Sequence, residues 1–178
     1  MLRSVLFVSA VVGTSANIWF SEYVTGPQHT TSVTLYNGGS ESVDLSSYTM
    51  WMPTDDRQWP IGIYSSLSGS LAAGSTHVIC SREGHPNIQC DRVDDAVTYY
   101  NSKDMVGLVL NGALVDKALG DRPDDQQSPR GRGTIRRRMS GTVGNAEFTS
   151  SEWVSQQTED LSGSGSSVAR DDDMRVEL

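Results

Sequence analysis

Apolar and polar positions alternate in short bursts across residues 17–160, and no stretch carries a helix-length stripe recurring every three or four residues. The segments NIWFSEYV, TTSVTLYN, SYTMWM, STHVIC, DMVGLVLN, ALVDKAL, TIRRRM and SEWV are rich in β-branched and aromatic residues. Gly, Ser, Asn and Pro separate them, which predicts strands without helices. In TSVTLYN the alternation assigns Val33 and Leu35 to one face and Thr34 and Tyr36 to the other. LVLNGALVD predicts a tight hairpin, because Asn111 and Gly112 accept the positive φ of a type I′ turn. YNGGSESVDLSSY predicts a longer connection with Gly38 and Gly39 as its left-handed positions. Short strands over this length, without helices, imply one all-β domain, a two-sheet sandwich or a partly closed barrel. Residues 120–133, GDRPDDQQSPRGRG, are too polar and too rich in Pro and Gly for a central strand and predict an exposed insertion.

The two ends differ from this pattern. MLRSVLFVSAVVGTSA places Arg3 before an apolar run and small residues at Ser15 and Ala16, the form of a secretory signal peptide cleaved after Ala16. A buried N-terminal strand, VLFVSAVV, is the alternative. The run is far shorter than the roughly 20 apolar residues a membrane span needs, so none is expected. Residues 162–178 hold a Ser/Gly run and mixed charge without aromatics, which predicts a disordered tail. The expected layout is a signal peptide at 1–16, a domain at 17–161 and a tail at 162–178. The final RVEL has a faint likeness to an endoplasmic-reticulum retrieval signal, with Val176 where an acidic residue is expected. Secretion is the primary expectation and retention the lesser one.

Charge narrows the function classes. Removing Arg3, the one charged residue of the leader, takes the formal charge from −8 to −9. Such acidity argues against a general nucleic-acid binder and leaves room for a local basic site. RGRGTIRRRM supplies that site: Arg130, Arg132, Arg136, Arg137 and Arg138 are candidate anion-binding residues for phosphate or nucleic acid. In a strand, Arg136 and Arg138 share a face and Arg137 takes the other, and exposed arginines also serve to blunt a sheet edge. Trp51 and Trp59 flank MPTDDRQ and are a candidate aromatic surface for a glycan or peptide, packing in the core being the plainer alternative.

His77, Cys80, His85 and Cys90 place both cysteines in one stretch and admit three readings: a disulfide, a zinc site or free thiols. In a chain that passes through an oxidising compartment, cysteines this close pair most economically with each other. His29, His77 and His85 sit in no GxSxG or HExxH motif, so catalysis by a hydrolytic triad has nothing to stand on. The aspartates of residues 91–104 could contribute to a structural calcium site, although no EF-hand series is present. No other metal or cofactor is expected.

Several segments together resemble a known family. FSEYV at 20–24, SVTLYNGGSESVDLSSY at 32–48, SLAAGSTHVIC at 70–80 and TIRRRMSGTVGNAEFTSSEWV at 134–154 are similar, in order, to the lamin-tail domain in its secreted form. Ser21, Glu22 and Tyr23 correspond to its first-strand motif, Leu35, Tyr36 and Asn37 to its second, and Asp44, Leu45 and Tyr48 to the turn into the third. Arg136 and Trp153 match its late signature, and Cys80 and Cys90 fall where secreted members often pair cysteines. Val33 and Thr34 depart from the common Leu-Glu step, and Lys103 and Asp104 depart from the usual Gly-Asp start of a later loop. The resemblance implies an immunoglobulin-like β-sandwich without catalytic residues. It points to a secreted binding or structural module acting on a protein or glycan surface. Two alternatives stand beside it, a nucleic-acid or phosphate binder using the arginine cluster and a secreted metal-dependent hydrolase.

Overall fold

The computed structural model describes residues 17–26, 30–53, 59–83, 88–98, 100, 105–118, 133–138, 141–147 and 149–158. The expected leader, the tail and most of the 120–133 insertion lie outside these residues. The strands are β1 (Ile18–Thr25), β2 (Thr31–Asn37), β3 (Val43–Asp44), β4 (Tyr48–Pro53), β5 (Gly62–Ser66), β6 (Ser70–Leu71), β7 (Thr76–Cys80), β8 (Arg92–Val93), β9 (Val106–Leu110), β10 (Ala113–Ala118), β11 (Gly133–Arg138) and β12 (Trp153–Thr158). They form a six-stranded sheet in the order β12-β11-β1-β2-β7-β8 and a four-stranded sheet β10-β9-β4-β5. A small β3-β6 pair completes the set. All pairings are antiparallel except β7 with β8.

Inward positions of both larger sheets meet in one core. Ile18, Phe20, Val33, Leu35 and Ile79 come from the six-stranded sheet, and Met50, Val106 and Leu108 from the four-stranded one. Each such side chain stabilises the fold by about 1.5 to 3 kcal/mol relative to an exposed position. Tyr100 seals one end by donating its hydroxyl to Ser32 O at 2.6 Å, with Val24 O at 2.9 Å.

Each expected strand segment overlaps one of these strands, and the Asn111–Gly112 hairpin has φ of 49° and 82°, as a type I′ turn requires. Other expectations are corrected. Neither Gly38 nor Gly39 has positive φ. Gly38 is small for another reason: a Cβ there would lie 1.8 Å from Trp19 Cη2, so the indole ring occupies that space. One α-helical turn, α1 (Asp95–Thr98), and two 3-10 turns, Leu45–Ser47 and Ser150–Glu152, interrupt the strand pattern. Asp94 caps α1 through Oδ1, which accepts from Ala96 N. The two faces assigned to β2 are both buried, Tyr36 alone being half-buried. Thr34 stands between Glu22 and Val78 on the outer face, and there Val24, Val78, Cys80 and Ile88 form a second apolar cluster.

Two irregularities aim at one point. Register shifts fall between Phe20 and Glu22 in β1 and between Leu114 and Asp116 in β10. Such bulges re-aim side chains and free ladder groups. The β1–β11 ladder ends at Glu22 and Arg137, which leaves the Phe20 backbone to find partners among side chains.

Candidate functional site

Arg138 and Asp116 take up those free groups. Phe20 N donates to Asp116 Oδ2 at 2.7 Å, and Arg138 Nε donates to Phe20 O at 2.8 Å. Arg138 also bonds Asp116 Oδ1 at 2.7 Å, Val143 O at 2.6 Å and Glu152 Oε2 at 3.1 Å. Its guanidinium lies 4.7 Å from the Trp153 ring centroid. Burial pushes the Asp116 carboxyl up to about 6, ahead of the lowering by Arg138 and by backbone donors. At 1% exposure Arg138 is no anion-binding residue; its donors are spent inside, joining β11 to β10 across the sheets. Arg138 also stands opposite Trp153 in the ladder. Arg130 and Arg132 lie outside the described residues, and for Arg136 and Arg137 only the strand backbone is described.

Cys80 and Cys90 are joined by a disulfide, with Cα atoms 5.9 Å apart. Neither sulfur is therefore available to zinc as a thiolate. Ile88 and Cys90 fold against Val24, Val78 and Cys80, so the bridge covers the outer face of the six-stranded sheet. His77 pairs with Asp91 at 3.8 Å, and burial holds its imidazole below the usual range against the opposing pull of Asp91. The aspartates considered for calcium point apart. Asp91 accepts from Val78 N, Asp95 from Arg82 N, and Asp94 from Arg92 and Ser65. Among the described residues no three His, Cys, Asp or Glu side chains converge on a metal position; Asp104 and His85 lie outside them.

The aromatic pair has one buried and one partly open member. Trp51 is fully buried, which corrects its assignment to the surface: its ring lies across Gly107, where a Cβ would come within 2.7 Å of Cε3. Trp59 covers it edge-on at 5.4 Å, and Tyr64 meets Trp59 at 6.0 Å while its hydroxyl donates to Pro60 O. Ile61, Ile63 and Tyr64 are 51%, 39% and 45% exposed. They belong to β5 and its approach, at the edge of the four-stranded sheet, where β5 pairs with β4 alone among the described strands.

The hydrogen-bonding state of that edge follows from its register. Leu67 N reaches Tyr48 O, so alternate residues back along β5 face β4, and Gly62, Tyr64 and Ser66 face outward. Ser66 O is taken by Arg92 Nη1 at 2.7 Å. Gly62 and Tyr64 present their N–H and C=O groups at the open part of the edge. Residues 58–81 contain no Asp, Glu, Lys or Arg, so β5 itself carries none of the charged side chains that usually guard such strands.

The chain matches no family model and no curated protein. No helix among the described residues is long and apolar enough to cross a membrane. Of the candidate residues, the structure joins Cys80 to Cys90 and Trp51 to Trp59, and it separates Arg138 from any surface role. Sequence reasoning missed Asp116, whose signal was an acid inside the apolar run ALVDKAL, and missed β5, whose signal was the uncharged stretch itself.

Proposed function

We propose that the chain is a secreted, non-catalytic binding or structural module of the lamin-tail type, an immunoglobulin-like β-sandwich whose partner surface is the uncharged edge formed by Trp59, Ile61, Ile63 and Tyr64. The observation that carries this reading is the edge itself. Exposed apolar side chains flank backbone groups without a partner among the described residues, in a domain that elsewhere commits its buried charges to internal bonds. An unguarded edge strand is a pairing template, and aromatic side chains with a polar tip are enriched where proteins meet. The disulfide supports export, since such bonds persist in oxidising compartments. A role in anion binding would fall to Arg130, Arg132, Arg136 and Arg137 without Arg138.

A photo-crosslinking amino acid at position 64 tests the surface. Crosslinked protein is expected from position 64 and not from position 42, which is exposed beside the small β3-β6 pair and outside β5. Equal crosslinking from both, or none from either, would remove the assignment. Intact mass of the exported protein tests secretion: a chain starting at Asn17 that gains two hydrogens on reduction is expected, and a chain retaining residues 1–16 would refute export by that leader.

A further inference from the structure

The geometry points to a second copy of this chain as the occupant of the β5 edge, the two β5 strands pairing antiparallel about a two-fold axis at Ile63. This rests on the reading of that edge as the partner surface. Register selects the axis. Antiparallel hydrogen-bonded pairs need residues whose backbone groups both face outward, here Gly62, Tyr64 and Ser66. An axis at Tyr64 would set Gly62 against Ser66, whose carbonyl Arg92 already occupies. An axis at Ile63 sets Gly62 against Tyr64 of the copy, twice, and every outward group of the open segment finds a partner.

Side chains fit the same axis. Ile63 meets its own counterpart at the close, non-hydrogen-bonded position, and Ile61 stands opposite Ser65 of the copy. Tyr64, next to glycine across the strand, meets no Cβ. The pairing is isologous, so it closes as a dimer and fuses two four-stranded sheets into one continuous sheet. Charge sets the salt response. Each copy carries a net charge of −8, yet residues 58–81 contribute none of it. Repulsion between the bodies is screened by salt, and the uncharged contact has no ion pairs to lose.

Sedimentation velocity on the full chain across a concentration series is the test. A monomer–dimer equilibrium is expected with a dissociation constant between about 10 µM and 1 mM, as for small transient interfaces. It should tighten several-fold as salt rises from about 0.05 to 0.5 M. Ile63→Lys, which sets two cations at the axis, should weaken association at least about ten-fold. Val143→Lys, at an exposed position away from β5, should leave it unchanged. Amide exchange on the unmodified chain, expected to slow at Gly62 and Tyr64 with concentration, needs no variant. A chain that stays monomeric, or a dimer indifferent to Ile63→Lys with both amides unprotected, overturns the pairing. If that monomer still crosslinks another protein from position 64, the edge serves a foreign strand and only the self-pairing fails. Without such crosslinks the binding reading fails with it.

Discussion

Replacing Arg138 by Met removes the donors that join the sheets at Phe20, Asp116, Val143 and Glu152 while keeping an apolar stem of similar length. Asp116 is then left buried with backbone N–H groups as its partners. Deleting one member of a buried pair costs about 3 to 5 kcal/mol. At about 3 to 4 °C per kcal/mol for a domain of this size, Tm should fall by roughly 10 to 20 °C. The loss should depend on pH. The folded-state value of Asp116, about 6, lies above the ordinary value of 3.8, so the folded state binds this proton more readily. Its contribution to stability is therefore least above pH 6 and grows as pH falls towards 4. Without Arg138 the carboxyl rises further, and acidification should repair part of the damage. His77 acts in the opposite sense, since burial lowers its value and stability is lost as it is forced to protonate, but this cancels between wild type and variant. Urea unfolding at pH 8 and pH 5 reads the difference, which should shrink by about 1 kcal/mol or more at pH 5. Adding Asp116→Leu should recover part of the stability at pH 8. A loss under about 1 kcal/mol at pH 8, or one of equal size at both pH values, would refute the account of Arg138 as the joint between the sheets.

Cys80→Ser with Cys90→Ser should cost roughly 2 to 3 kcal/mol in urea unfolding, the entropy of closing a loop of this length. Amide exchange should quicken first in β7, because the bridge covers its outer face. Gly107→Ala should cost about 1 to 3 kcal/mol by thermal unfolding, since its Cβ would meet both Leu114 Cδ1 and Trp51 Cε3 at 2.7 Å. An unchanged Tm would mean that the indole is free to move aside.

Strands were legible where local chemistry decides them. β-Branched runs and the Asn111–Gly112 turn act over a few residues, and the structure follows them. What stayed hidden depends on residues distant in sequence. Phe20 and Asp116 are 96 positions apart, and no periodicity reports that two bulges bring them together. Arg138 looked like part of a cationic surface because a run of arginines says nothing about which one finds acceptors indoors. Alternation within TSVTLYN separated the two faces but could not report that the disulfide segment packs on the outer one, a tertiary contact. Trp51 and Trp59 were legible as a pair and not as a layered one, since burial of Trp51 needs the missing side chain of Gly107 from another strand.

The two sheets are joined on either side by the same device at different strengths. On one side Arg138 bridges β11 to β10 with its acceptors fully or partly buried, and a charge so desolvated must be completely paired to be tolerated. On the other side Arg92 of β8 reaches Ser65 and Ser66 of β5 and pairs with Asp94, partly in solvent. A guanidinium spans only a few backbone groups, so this clip secures the C-terminal half of β5 and leaves Gly62 and Tyr64 open. Residues 59–66 carry no charged side chain, so β5 itself sets no like charge against another strand. Stability is thus concentrated where the arginine is fully buried, and association at the edge where it is partly in solvent. Extending the clip, by a second arginine that reached Tyr64 O, would strengthen the fold and abolish the contact together.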